Sequence, residues 1–423
     1  MNHFFYREGE LYCEDVPLRR IADEVGTPTY VYSTATLRRH YRAFDQPFAK
    51  VDHLVCFSVK SLSNLAVLRL FGGMGSGFDI VSGGELFRVE KSGGDTRKVV
   101  FSGVAKTESE IEYALRKNIL LFNVESEAEL SEINRIAGRM RKKARVTLRV
   151  NPDVDPRTHR HISTGLKQSK FGIETDKAIA IYRNWKQYPN VDMAGVACHI
   201  GSQMLEMEPV LEALSRLVAL VKTLTDMGLN IRCLDLGGGL GITYANETPP
   251  LPAQYASEII RFAREVKCKL ILEPGRVLVG NAGVLLLEVV YLKQGSEKNF
   301  VIVDGGMNDL IRPALYGAHH EVLPLEEKPL KPGYKADLVG PICESADFLA
   351  RDRALPAMKA GERVAIMSAG AYGFVMASNY NSQPLPAEVL VSGNKFYVVR
   401  ERETYQSLVL GEKAPAFLKK GRK

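Results

Sequence analysis

From about residue 55 to residue 275 the chain alternates between two textures. Short runs rich in Val, Ile, Leu and Phe are separated by longer stretches whose apolar positions recur every three or four residues. The runs fall at 55–59, 78–81, 99–101, 120–124, 145–150, 193–199, 231–236 and 269–273. Amphipathic segments of helical length, such as 108–117, 127–140, 210–227 and 253–266, lie between most of them. Strands that alternate with helices pair in parallel, because each crossover helix carries the chain back to the same end of the sheet. Eight such strands predict a closed (β/α)8 barrel in preference to an open doubly wound sheet.

After residue 280 the pattern changes. Strand-like runs at 284–292, 299–304, 336–339, 363–367, 388–392 and 395–400 are punctuated by Gly, Pro and Asn, with few long helical stretches between them. Val391-Ser392-Gly393-Asn394-Lys395 has the form of a tight hairpin turn. The expected fold is therefore α/β plus β: a parallel (β/α)8 barrel over residues 31–280, followed by a mainly antiparallel β domain over 281–423. Residues 1–30 carry a short strand pattern of their own and are expected to complete that second domain.

Composition narrows the class. With 423 residues, 45% hydrophobic and 25% charged, the chain suits a two-domain globular enzyme. No apolar run approaches the roughly 18 residues of a membrane span, and residues 1–12 lack an apolar signal core. A cytoplasmic address with no membrane partner is expected. The net charge of +7 owes part of its excess to Lys419, Lys420, Arg422 and Lys423. That short cluster lacks interleaved aromatics and reads as a solvated terminus, not a nucleic-acid contact. None of the six cysteines forms a C-x-x-C pair, so zinc and thioredoxin-type chemistry have no support and no metal is expected. Cys343, in the polar loop Gly340-Pro341-Ile342-Cys343-Glu344-Ser345, needs an explanation of its own.

Barrel enzymes work at the C-terminal ends of their strands, and here polar residues and glycines gather at those ends. Lys60 follows the first run, and Asp79 leads into Ser82-Gly83-Gly84-Glu85 after the second. The fifth ends Arg149-Val150-Asn151-Pro152 and the sixth His199-Ile200-Gly201-Ser202-Gln203. The seventh leads into Gly237-Gly238-Gly239-Leu240-Gly241, and the eighth into Glu273-Pro274-Gly275-Arg276. The glycine run matches neither G-x-G-x-x-G nor a Walker loop. It suits a tight turn, or a strand leading into a helix N-terminus with backbone N–H groups offered to a phosphate. Lys60 at the end of an apolar strand either reaches a solvent or carboxylate partner, or is a Schiff-base lysine whose pKa its apolar setting lowers. Glu273 either pairs with a nearby cation or faces a pyridine nitrogen, and His199 is either a bonded core histidine or a ring-stacking partner. Together a lysine for an aldehyde, donors for a phosphate and an acid for a ring nitrogen are what a pyridoxal cofactor requires.

Read in order, several stretches resemble the alanine-racemase-like (fold type III) pyridoxal phosphate-dependent decarboxylases, and within them the diaminopimelate decarboxylase family. They are Ser58-Val59-Lys60, Asp79-Ile80-Val81-Ser82-Gly83-Gly84-Glu85-Leu86, His161-Ile162-Ser163-Thr164-Gly165 and Ser169-Lys170-Phe171-Gly172. The strand-end motifs at 199–203, 237–241 and 273–276 follow. Then come Gly306-Met307-Asn308-Asp309-Leu310-Ile311-Arg312-Pro313-Ala314-Leu315-Tyr316, Cys343-Glu344-Ser345 and Ala369-Gly370-Ala371-Tyr372-Gly373. The resemblance implies a head-to-tail homodimer with shared active sites and pyridoxal 5'-phosphate as cofactor. It implies that Lys60 holds the cofactor, His199 stacks on it and Glu273 faces its ring nitrogen. Asp79, Ser202, Gly238, Gly239, Gly275, Arg276 and Tyr372 complete the implied cofactor site. Cys343, reaching across from the partner subunit, is implied to return a proton, so Lys60, Cys343 and His199 form the catalytic set. Two departures stand out. Many relatives have Tyr-Ala-Val-Lys-Ala-Asn where this chain has Phe57-Ser58-Val59-Lys60-Ser61-Leu62, and Ala346 stands where glycine is usual.

Charge separates substrates within this class. A cationic tail, as on ornithine or arginine, calls for carboxylates at the far end of the site. Diaminopimelate ends in a second amino-acid group and calls for a cationic clamp together with an acid. Arg276, Arg312 and Tyr316 are candidates for the distal carboxylate and Glu344 for the distal ammonium, with Tyr372 a further substrate contact. The expected reaction is decarboxylation of meso-2,6-diaminopimelate to L-lysine and CO2, the last step of lysine biosynthesis. Decarboxylases of ornithine, arginine or carboxynorspermidine, an amino-acid racemase, and a catalytically inert regulator of a decarboxylase remain the competing readings.

Overall fold

A computed structural model describes residues 2–155 and 170–418. Eight strands, His53–Ser58, Gly77–Ile80, Val99–Phe101, Leu121–Val124, Ala144–Asn151, Val191–Ala197, Cys233–Asp235 and Lys269–Leu272, run parallel. The fourth pairs with the fifth, and the eighth pairs back onto the first (Leu272 opposite Val55). The ring is therefore closed, a barrel and not an open sheet.

The helices around it begin where local chemistry starts them. Ser82, Thr107 and Ser126 each accept a hydrogen bond from the backbone N–H three residues on, at Glu85, Glu110 and Glu129. At Thr107 the Glu110 side chain also returns a bond to the cap, completing a capping box. Proline occupies the first turn of Glu208–Asp226 and of Pro252–Val266, where a missing N–H costs nothing. The barrel interior divides by depth. Cys56, Val100, Leu121, Cys233 and Ile271 fill one end with apolar atoms. Ser58, Asp79, Asn123, Thr147, Asp235 and Glu273 form a buried polar layer at the other.

The second half of the chain builds a mainly antiparallel sheet around the long strand Gly283–Gln294. Thr29–Ser33 lies in its middle, antiparallel to Gly283–Gln294 and parallel to Ala387–Ser392. The hairpin is present as Ala387–Ser392 and Lys395–Arg400, closed by Gly393 at φ +60 and Asn394. Residues 4–25 form the small sheet Phe4–Arg7, Glu10–Cys13, Val16–Pro17 and the helix Leu18–Val25, which pack on Val31, Val284 and Leu286. The hydrophobic pattern missed Phe348–Pro356 and the first half of Leu330–Val339. The former is an edge strand carrying Arg351, Asp352 and Arg353, and the latter contains Pro332 and Gly333, so neither shows strand alternation.

Among the described residues no helix is long and apolar enough to cross a membrane. None of their His, Cys, Asp and Glu side chains group as a metal site. The basic cluster at 419–423 lies outside the described residues.

Candidate active site

The first barrel strand ends in the short 3-10 turn Val59–Ser61, which carries Lys60 to the barrel mouth. Its Nζ lies 2.6 Å from Oδ2 of Asp79, at the inward-facing end of the second strand. Ser58 Oγ donates to the same oxygen at 2.6 Å, while Asp79 Oδ1 is buried without a hydrogen-bond partner. The departure from the family's lysine motif thus matters, because the hydroxyl at position 58 helps hold the carboxylate. The expectation of a lowered lysine pKa is reversed. Burial draws the Lys60 ammonium down, but the Asp79 carboxylate beside it outweighs that and holds it above the ordinary lysine range.

Glu273 follows the eighth strand and is 6% exposed. Asn123 Nδ2, on the fourth strand, donates to its Oε1 at 3.2 Å and to Asp235 Oδ2 at 2.8 Å. Burial pushes Glu273 well above the usual carboxylate range, and repulsion from Asp235 and Asp79 adds to that. Asp235 is itself pushed up to about 6 by burial. Burial and this crowding favour the protonated form of Glu273. Asp235 was not singled out from the sequence, although it stands two residues before the glycine run. Its Oδ1 accepts from Gly237 N at 2.9 Å and pins the start of that loop.

Gly237 and Gly239 adopt φ +63 and +120, and a Cβ on Gly238 would overlap the Glu273 carbonyl. The loop therefore requires glycine for its turn and for its close approach to the eighth strand. It does not open a helix as one reading of the sequence had it, since the next helix starts at Pro252. Gly238 N donates to His199 Nδ1 at 3.1 Å, which leaves the ring proton on Nε2. Burial, reinforced by Arg149 and Lys60, pushes His199 well below its ordinary value and keeps the imidazole neutral.

Two buried guanidiniums line the same cavity as Lys60. Arg276 donates from Nη1 to Tyr244 Oη at 2.7 Å and from Nη2 to Ser202 Oγ at 3.1 Å, while its Nε has no partner. Arg312 sits 5.0 Å from the Tyr244 ring and 5.8 Å from that of Tyr316, and Arg276 is 4.9 Å from the Tyr372 ring. Both arginines are nearly inaccessible, at 6% and 5%, and no described acidic side chain pairs with either. Tyr372 is held at φ +55, an unfavourable conformation for a non-glycine residue, and its N–H donates to Ser61 O at 2.9 Å. A cavity of about 780 Å³ joins Lys60, His199, Ser202, Arg276, Arg312, Tyr316 and Tyr372. A recess of about 30 Å³ joins Lys60 to Glu273, Gly239 and Gly275. Tyr244 and Arg149 also line the larger cavity, although the sequence pattern assigns neither a role at the site.

Two candidates lie elsewhere. Cys343 is exposed, with its N–H donating to Asn381 Oδ1 at 2.8 Å. The loop bearing it and Glu344 is shaped by Asp347, which accepts from Ile342 N at 2.6 Å and Met307 N at 2.7 Å. Neither Cys343 nor Glu344 lines the cavity of its own chain. Of the stretches at 161–165 and 169–172, residues 161–165 and Ser169 lie outside the described residues. Phe171 lies 4.8 Å from the Arg149 guanidinium, and Gly172 N donates to Glu125 Oε2 at 2.8 Å.

Comparison with known proteins agrees with this geometry. Residues 34–280 match the model of the pyridoxal binding domain of the pyridoxal-dependent decarboxylases. The diaminopimelate decarboxylase of Vibrio cholerae is 51% identical over 410 residues, spanning 96% of this chain and 98% of its own. That of Pseudomonas aeruginosa is 52% identical over 412 residues, spanning 97% and 99%. The crystal structure of diaminopimelate decarboxylase from M. jannaschii in complex with L-lysine superposes with a TM-score of 0.94 at 36% identity, covering 99% of this chain and all of the other. The chain belongs to the diaminopimelate decarboxylase family, fold type III pyridoxal phosphate-dependent enzymes.

Proposed function

We propose that the chain decarboxylates meso-2,6-diaminopimelate to L-lysine and CO2 with pyridoxal 5'-phosphate held at Lys60. The observation that carries the substrate is the pair of buried guanidiniums, Arg276 and Arg312, with no acidic partner among the described residues. Uncompensated buried charge is costly, and an anionic ligand relieves it. A substrate ending in a cation alone, such as ornithine, offers no such relief.

The residues present fit the cofactor. Lys60 offers an amine, protonated Glu273 offers an acid, and Arg276 brings an unpartnered buried Nε to the rim of a recess lined by glycine. Lys60 would hold the aldehyde carbon, His199 the ring face and Glu273 the ring nitrogen. Ser202, Gly238, Gly239, Gly275, Arg276 and Tyr372 would hold the phosphate region. Before the cofactor binds, Asp79 holds Lys60 at the barrel mouth. When bound, the cofactor supplies an electron sink for the bond that breaks.

The remaining chemistry belongs to the chain. Arg276, Arg312, Tyr316 and Tyr372 orient the distal end of the substrate, so the reacting carboxylate stands clear of the arginines. Glu273 holds a proton at the ring nitrogen. Cys343 Sγ returns a proton to the carbon that has lost CO2, and Glu344 binds the distal ammonium. Both come from the partner subunit of a head-to-tail homodimer, which accounts for their exposure and for their distance from the cavity of their own chain. The M. jannaschii relative that holds L-lysine supports the product assignment. Six unpaired cysteines suit a reducing cytoplasm.

Incubation of the cofactor-loaded protein with meso-diaminopimelate tests the reading. Equimolar CO2 and L-lysine are expected. Release of CO2 from ornithine or arginine with none from diaminopimelate would sink the substrate assignment and leave the cofactor assignment standing.

A further inference from the structure

Behind Arg312 lies a side chain that the reaction as described leaves unused. Arg312 opens the short helix Arg312–Tyr316, which ends at Gly317 with φ +61. The chain then doubles back, placing His320 against the arginine it has just left. His320 is wholly buried. Its Nδ1 lies 2.9 Å from the Met367 carbonyl, which can only accept, so the ring proton is on Nδ1. Nε2 is left as a lone pair, and it receives Arg312 Nε–H at 3.3 Å. The ring meets Tyr244 edge-on, with centroids 5.4 Å apart. Tyr244 in turn lies 5.0 Å from the Arg312 guanidinium and accepts from Arg276 at 2.7 Å.

We infer that His320 is a positioning residue, an uncharged brace that fixes Arg312 for a ligand carboxylate without neutralising it, with Tyr244 tying that arginine to Arg276. The inference rests on the reading of Arg312 as a carboxylate clamp. A guanidinium is usually braced by a carboxylate, which would spend the charge the ligand needs. A neutral imidazole acceptor orients Nε and leaves the Nη edge for the cavity. Burial, followed by the charge of Arg312, pushes His320 down to about 3, so it stays neutral at every pH where the protein works. The same burial lowers Arg312, the mark of a cation kept without a counter-ion.

The test uses cofactor-loaded protein with His320→Leu, His320→Asn and His320→Asp. Two readouts are taken: KM and kcat for meso-diaminopimelate, and the calorimetric Kd of pimelate, an unreactive dicarboxylate. His320→Leu is expected to weaken pimelate about tenfold and to raise KM similarly, with a smaller effect on kcat. His320→Asn, whose amide oxygen can accept from Nε, should restore part of the loss. His320→Asp should bind pimelate more weakly still, because its carboxylate takes the arginine's charge. Unchanged pimelate binding in His320→Leu and His320→Asn would overturn the inference. So would a parallel fall of kcat and cofactor content in both, with KM unmoved. If the wild type released no CO2 from diaminopimelate, the substrate reading would fail, and the pimelate constants would still decide on His320.

Discussion

Lys60 Nζ and Asp79 Oδ2 stand 2.6 Å apart, joining the ends of two neighbouring barrel strands through a carboxylate that is wholly buried. The ion pair keeps the lysine as an ammonium until a cofactor arrives. Capture of an aldehyde needs the neutral amine. Replacing Asp79 by Asn removes the lysine's nearest counter-charge, so the pH midpoint for capturing pyridoxal phosphate should fall by about one unit or more. Absorbance of the bound cofactor, followed from pH 6 to 10 in stripped protein, reads this directly. An unchanged midpoint would show that Asp79 does not set the lysine.

Glu273 is expected to matter for chemistry more than for binding. Glu273→Gln keeps the shape but cannot supply the acidic proton that the ring nitrogen needs. A fall in kcat of about 100-fold with cofactor still bound is expected. Retention of most of the activity would remove Glu273 from its assigned place.

The proposed sharing of active sites between subunits makes a prediction that no single chain can satisfy. Lys60→Ala and Cys343→Ala should each be strongly impaired as homodimers. Mixed by unfolding and refolding together, they should recover about a quarter of wild-type activity, because half the dimers are mixed and each mixed dimer has one intact site. No recovery would place Cys343 outside the partner's site.

The pair Lys106–Glu129 is predicted to hold the barrel mouth. Lys106 Nζ lies 2.6 Å from Glu129 Oε1, with side chains 1% and 8% exposed, and also donates to the carbonyls of Gly103 at 2.7 Å and Asn123 at 2.8 Å. Glu129→Gln would leave a buried ammonium without its counter-ion, at a cost of about 3–5 kcal/mol in urea unfolding.

Acid should weaken the fold through His320. The unfolded imidazole takes up a proton near pH 6.5, whereas the folded one resists until about 3. Below pH 6.5 the unfolded state therefore holds more protons, and stability is lost as pH falls. The advantage is complete above pH 6.5. Between pH 6.5 and 5 the wild type should lose about 2 kcal/mol relative to His320→Asn. Denaturant melts of both proteins at three pH values check the slope.

Much of this molecule can be read from its residues in order. The eight barrel strands, the hairpin at 393–394 and the chemistry at the strand ends follow from local patterning. A half-buried strand and an amphipathic helix each leave a repeat of their own, and catalytic groups in a barrel gather at one predictable end of its strands. Lys60, His199, Glu273 and Arg276 are candidates for that reason, and the fold brings them to the mouth of one cavity. The edge strand Phe348–Pro356 was not, because its charged residues mask the alternation.

What patterning leaves open is which side chains meet. Lys60 and Asp79 are 19 residues apart in the chain, and Asn123 and Glu273 are 150 apart. Nothing local reveals that the first pair raises a lysine pKa that burial alone would lower. Nor does it reveal that burial, with Asp235 close by, raises the Glu273 carboxyl well above its ordinary range. Electrostatic shifts depend on distance and burial, and both are set only when the ring of strands closes. Helix, strand and candidate chemistry are thus local properties of this chain, while the charge state of its active groups is a property of the folded barrel.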